Sequence, residues 1–171
     1  MHKMVFIYTV TQRNGKQHKV LLDDDSPAIG KTISYSNSHG YFVIRHQNKL
    51  MLLHRFLMPH AKEDEIVDHK DQNRCNQQLH NLRLADKRRN GWNMAKRKSN
   101  TTGSIGVYRK KKGSPFFAKI KDANGKQVQL GSFQTIKEAE ICYDMACHNI
   151  RGEFAVLNNP DNIFKNRLSI I

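Results

Sequence analysis

The residues in this sequence best suited to do chemistry are an Asp beside a His at the end of a short apolar run, Ile66-Val67-Asp68-His69. Strand side chains alternate faces, so Asp68 can face a cation while His69 faces a water, provided the chain turns directly afterwards. Lys70-Asp71-Gln72-Asn73-Arg74 supplies a polar, Asp/Asn-rich turn. A second run, Asn81-Leu82-Arg83-Leu84-Ala85, alternates like a returning strand. Asp86 is then placed to cap a helix beginning at Lys87-Arg88-Arg89-Asn90. The unit is expected to run strand, loop, strand, helix, with Asn90 about one turn into the helix and pointing back at the strand end that carries Asp68.

These residue types fit phosphodiester hydrolysis. That reaction needs a base to activate water, and a cation to hold the phosphate and stabilise the departing oxygen. An Asp carboxylate and an Asn amide oxygen are hard ligands suited to Mg²⁺ or Mn²⁺. An imidazole changes protonation near neutral pH, which makes His69 the natural base. From spacing alone, the same residues also fit a solvated Asp-His turn with two Asn caps.

The stretch Leu52 to Asn93 resembles the HNH endonucleases of the phage and intron-homing type, through Leu53-His54-Arg55, Val67-Asp68-His69, Asn81-Leu82-Arg83 and Asn90. The resemblance implies a ββα-metal fold in which Asp68 and Asn90 hold a divalent metal, His69 is the general base and Asn81 braces the loop that orients it. It also implies that His54 and Arg55 stand beside the site, supporting it or touching the phosphate, and that Arg83 meets DNA. The chain departs from the family pattern at Asn76-Gln77, where a paired Asp/Asn-Asn is usual, and at Asp86, where Thr often opens the helix. Gln is longer than Asn and turns less readily, so the loop is expected to be held differently.

Twenty-nine Lys+Arg against 15 Asp+Glu give a formal net charge of +14. Residues 1–100 carry 18 cations against 9 acids and residues 101–171 carry 11 against 6. Such a balance calls for a polyanionic partner, because each neutralised phosphate releases counterions. The absence of a long apolar run argues against a membrane span, and Met1 to Val10 is too short and polar for a secretory signal. A cytoplasmic protein is therefore expected, and the resemblance implies a phage-infected bacterial cell. Cys75, Cys142 and Cys147 show no zinc spacing, so no structural zinc is expected and the thiols are read as reduced.

Ahead of the motif, Val5-Phe6-Ile7-Tyr8 and Lys19-Val20-Leu21-Leu22 are expected to be strands joined by a turn at Asn14-Gly15. Asp23-Asp24-Asp25 reads as a solvated turn. Tyr41 to Arg45 is another expected strand, and Lys49 to Met58 brings the chain to His54-Arg55 and stops at Pro59.

After Asn93 the chain is basic, with Lys96, Arg97 and Lys98 placed to lie along phosphates, and it then enters a polar linker at 99–104. From Ile105 the pattern changes: a strand to Lys112, an alternating strand Phe116-Phe117-Ala118-Lys119-Ile120-Lys121, a hairpin turn at Asn124-Gly125 and a third strand, Lys126 to Phe133. Thr135-Ile136-Lys137-Glu138 is a capping box, and Ala139, Tyr143, Ala146 and Ile150 recur at helical spacing. The expectation is a three-stranded antiparallel sheet with one helix on one face and Lys, Arg, Tyr and Gln on the other, able to enter a major groove.

This segment resembles the APETALA-two/ethylene-response-factor DNA-binding domain, through Gly106-Val107-Tyr108, Ala118-Lys119-Ile120, Leu130-Gly131-Ser132-Phe133, Tyr143-Asp144 and Arg151-Gly152. The resemblance places DNA contacts on Tyr108, Arg109, Lys110, Lys112, Lys119, Lys121, Gln127 and Gln129.

The expected fold is therefore α+β in two parts: an HNH nuclease over 1–98 with its core at 52–93, and, beyond the linker, a sheet-type reader over 105–160 with a tail at 161–171. The expected activity is site-specific, metal-dependent cleavage of double-stranded DNA by a monomer that nicks one strand. A DNA-binding regulator retaining the HNH half as a scaffold is the alternative.

Overall fold

The chain's structure is a computed structural model, which describes residues 4–93, 98–112 and 115–165. It divides into two units, 1–90 and 91–171, in a mixed α+β arrangement of small sheets and short helices.

In the first unit, β1 (Val5–Thr11) and β2 (Gln17–Asp23) form an antiparallel hairpin across a turn that holds Gly15 at φ 80°. A second meander pairs β3 (Ile33–Ser36), β4 (Tyr41–His46) and β5 (Lys49–Leu52). The alternation in β4 sends Phe42 and Ile44 into a core with Val20, Leu22, Ile33, Leu53, Leu57 and Leu82. Phe42, Ile44, Val20, Leu22 and Leu53 are fully buried, each burial contributing about 1.5–3 kcal/mol. A single-turn helix, α1 (Leu53–Leu57), follows β5 directly and buries His54. β6 (Ile66–His69) and β7 (Leu82–Ala85) then pair antiparallel, with Asp68 opposite Arg83, before α2 (Lys87–Trp92). Asp86 caps α2, its Oδ1 accepting the Arg89 N–H at 2.7 Å.

The second unit is a meander of β8 (Val107–Arg109), β9 (Phe116–Lys121) and β10 (Gln127–Phe133), with a bulge between Gln129 and Gly131. The helix α3 (Ile136–Arg151) opens on a capping box in which the Thr135 and Glu138 side chains each accept from the other's backbone N–H. It buries Ala139, Tyr143 and Cys147 against Val107, Phe116, Ala118 and Ile120. Gly106, at φ 73°, leaves no room for a side chain, since a Cβ there would stand 2.0 Å from the Tyr143 ring.

The unit boundary differs from the sequence expectation. Residues 99–104 fold into the second unit: Thr102 Oγ1 donates to the Val107 carbonyl at 2.9 Å, and buried Ser104 bonds Glu140. These small polar side chains satisfy local backbone groups instead of leaving a solvated linker. Part of the expected tail is also folded. Buried Asp144 accepts from Asn158, Asn159 and Asn162, which ties α4 (Asp161–Lys165) to α3. Lys96 and Arg97, together with residues 166–171, lie outside the described residues.

Candidate functional site

β6 ends in two buried, chemically active side chains, with Asp68 9% and His69 5% exposed. Their neighbours arise from the strand register and from the loop that joins β6 to β7. Arg83, directly across the ribbon, places Nε and Nη2 each 3.0 Å from Asp68 Oδ2. The expectation of Arg83 on DNA is therefore corrected: it is buried in an ion pair with the very carboxylate expected to hold a metal. Two charges drawn into a protein interior tolerate burial only as a pair.

The loop is held by amides. Asn81 donates from Nδ2 to Asp71 Oδ1 and to the Asn76 carbonyl, both at 2.9 Å, and its Oδ1 accepts the Asp71 N–H. Burial alone would raise the Asp71 carboxyl, but hydrogen bonds from the Asn73 backbone and from the Asn76 and Asn81 side chains hold it below its usual range.

Gln77, 1% exposed, shows how the loop accommodates its departure from the family pattern. Its amide nitrogen donates to the Arg74 carbonyl at 2.8 Å and stands 3.0 Å from His69 Nε2. Burial pushes the His69 pKa down and Arg74 adds to it, while Asp71, Asp68 and the Gln77 hydrogen bond oppose that.

His54 packs edge-on to His69 with ring centroids 5.2 Å apart, and against Tyr41 at 5.3 Å. Burial, reinforced by the charges of His69, Arg55 and Arg74, lowers its pKa to about 4, so the ring is neutral at neutral pH. Arg55 does not stand ready for a phosphate. Its Nη1 donates to the Glu65 carbonyl at 2.6 Å and its Nη2 to the Lys62 carbonyl at 2.7 Å, fixing the approach to β6. Asn90 sits half-buried on α2, its backbone N–H bonded to the Asp86 carbonyl.

Three contributors to the site have no sequence pattern that marks them. Asp23, expected in a solvated turn, is buried, and it accepts Leu79 N–H at 2.8 Å and Gln78 Nε2 at 3.3 Å. With the Leu21–Cys75 and Gln77–Leu21 backbone bonds, it fastens the loop to β2. Arg74 lies 4.0 Å over the Tyr41 ring, bringing a cation beside the two histidines. Tyr41 links that cation to His54.

In the second unit the register puts Tyr108, Phe117, Lys119, Lys121, Gln127 and Gln129 on the sheet face opposite α3. Tyr108 stacks on Phe117 at 5.3 Å, and the Lys119 ammonium stands 4.4 Å from the Tyr108 ring. Lys110 Nζ bonds Ser132 Oγ, while Lys112 and Lys98 are exposed. Arg109 is exposed, with its guanidinium 5.0 Å from the ring of Phe116, its cross-strand partner.

Asp68 and Asn90 each carry a side-chain oxygen of the kind a hard cation takes, and among the described residues no cluster of three or more His, Cys, Asp or Glu side chains is arranged for a metal. The three thiols are free, and burial raises the pKa of each. No helix among the described residues is long and apolar enough to cross a membrane.

The mixed α+β fold and its buried Asp-His site are compatible with a nuclease domain. Over 143 residues the chain is 31% identical to an uncharacterized HNH endonuclease of Acanthamoeba polyphaga mimivirus, a match covering 81% of this chain and 73% of that protein. The chain belongs to the HNH endonuclease family. No family model and no solved structure matches it.

Proposed function

We propose that this nuclease is a site-specific, metal-dependent DNA endonuclease of the homing type, in which β6, β7 and α2 form a ββα-metal unit. The observation that carries the reading is the loop between β6 and β7, where Gln77 stands 3.0 Å from His69 Nε2 and Asn81 braces the loop through Asp71 and the Asn76 carbonyl. Asp68 and Asn90 would hold a Mg²⁺ or Mn²⁺ ion, which when bound would neutralise the scissile phosphate and stabilise the departing 3′ oxygen. His69 takes the proton of the attacking water. Neutral His54 and Tyr41 wall the imidazole from solvent on one side, and Arg74 offers its charge to a phosphate.

The second unit, read as an APETALA-two-like domain, would supply the address through Tyr108, Lys119, Lys121, Gln127 and Gln129 in a major groove. Among side chains that read bases, Gln favours adenine. A monomer with one such site nicks one strand of double-stranded DNA. The regulator reading has one observation in its favour: Asp68 is already engaged by Arg83.

A plasmid-nicking assay with Mg²⁺, Mn²⁺ or EDTA decides between them, with wild type beside His69→Ala. Metal-dependent nicking that falls by roughly 10²–10⁴ in the variant is the expected result. Because the His69 pKa is lowered, the acid limb of the rate profile should lie below the ordinary imidazole value of 6.5. DNA binding with no cutting in any metal would instead make the protein a regulator.

A further inference from the structure

The outer face of the β3–β5 sheet carries a groove of about 580 Å³ to which the nuclease reading gives no role. Cross-strand pairs Ser34–Val43 and Arg45–Leu50 put Val43 and Leu50 in the groove with Ser34 and Arg45 beside them, and Lys31, Gln47 and Asn48 complete the rim. Two lining residues are cations, and among the described residues no carboxylate lines it. The β4–β5 turn adds a second feature. Gln47 and Asn48 both adopt positive φ, 47° and 60°. Asn tolerates that conformation, whereas Gln is strained in it. The strained turn holds Gln47 and Asn48 at the rim, and both side chains can donate and accept hydrogen bonds.

The groove is also in line with the catalytic residues. Along β4, Arg45, Val43 and Tyr41 share one face by alternation, and Tyr41 is the residue packed between His54 and Arg74. The path from Tyr41 to Arg45 spans four residues, about 13 Å of strand. That length matches about four base pairs of duplex axis.

We propose that this face is a second DNA-docking surface within the catalytic unit. It would seat the phosphate backbone of the substrate duplex about four base pairs from the cut, with Lys31 and Arg45 on phosphates and Ser34, Gln47 and Asn48 hydrogen-bonding the backbone. The proposal rests on the nuclease reading for its orientation but not for its test. It makes recognition depend on the first unit as well as the sheet of the second.

The test measures equilibrium binding of a mixed-sequence duplex oligonucleotide in EDTA as a function of salt. It compares wild type, Lys31→Ala/Arg45→Ala and the control Arg13→Ala/Lys16→Ala. The control removes the same charge from exposed positions in the β1–β2 turn. The slope of log K against log salt should fall by about 1.8 in the first variant, for two lost phosphate contacts, and by much less in the control. Equal changes in both variants would mean bulk electrostatics and overturn the proposal. An unchanged slope in the first variant, no duplex binding by wild type, or tighter binding of single-stranded RNA would also overturn it. Because no cutting is required, a slope loss in a protein that never nicks would leave this surface standing and remove the nuclease reading. Nicking with an unchanged slope would do the reverse.

Discussion

The two units handle their polar residues in opposite ways. Around β6 the reactive groups are buried and satisfied by one another: Asp68 by Arg83, His69 by Gln77, and the loop by Asn81 and Asp23. On the outer face of the β8–β10 sheet, Tyr108, Lys121, Gln127 and Gln129 are exposed, with Tyr108 stacked on Phe117 and Lys119 bonded to Gln127. Chemistry on a phosphodiester needs groups fixed before the substrate arrives, in surroundings where electrostatics are strong. Reading a polyanion needs charges that meet it at the surface and release counterions. The contrast implies that substitutions among the buried groups around β6 cost stability and activity together, whereas those on the β8–β10 sheet face cost affinity alone.

The largest expected stability effect is at Arg83. Arg83→Ala removes the cross-strand cation from buried Asp68 and should destabilise the first unit by about 3–5 kcal/mol, measured by denaturant unfolding. The double variant Asp68→Asn/Arg83→Met should recover most of that loss. If the single variant costs nothing, the ion pair is no buried constraint and the contrast between the units fails at its centre.

Next comes acid sensitivity. The folded pKa of His54, about 4, lies below its unfolded value of 6.5, so the unfolded chain binds the extra proton and stability falls as pH drops from 6.5 to 4. The loss should amount to about 3 kcal/mol. Melting curves of wild type and His54→Gln across that range test it, since the variant should lose that part of the slope.

Asp23→Ala probes the fastening of the loop to β2. Removing a buried acceptor from Leu79 N–H and Gln78 should cost about 1–3 kcal/mol. It should also slow nicking at saturating DNA by loosening the loop that carries Gln77. Retention of full rate would show that the loop holds itself.

The smallest stability effect belongs to the sheet. Lys119→Ala should change unfolding by less than about 0.5 kcal/mol, yet lower the salt slope of DNA binding by about 0.9. A large loss of stability there would erase the distinction between the units.

Most elements of both units were legible from local signals, whereas β3, α1 and α4, of four or five residues each, were not. Alternation in Phe116–Lys121, the Asn124-Gly125 turn and the Thr135–Glu138 box each act within a few residues, and β9, β10 and α3 form where they indicate. The same holds for the order β6, loop, β7, α2 and for Asp86 as its cap. Arg83 and Arg55 looked like DNA contacts because charge in a basic chain points outward by default. Their partners come from strand pairing and from a carbonyl ten residues away.

By itself, then, the sequence determined which segments become strands and helices and which residue types stand at the end of β6, because propensity, alternation and capping are short-range. Only the tertiary structure decided that Gln77 meets His69, that Asp23 reaches across 56 residues to Leu79, and that Tyr41 joins Arg74 to His54. These contacts depend on where loops return in space, and burial makes the hydrogen bonds of His69 and Asp23 obligatory.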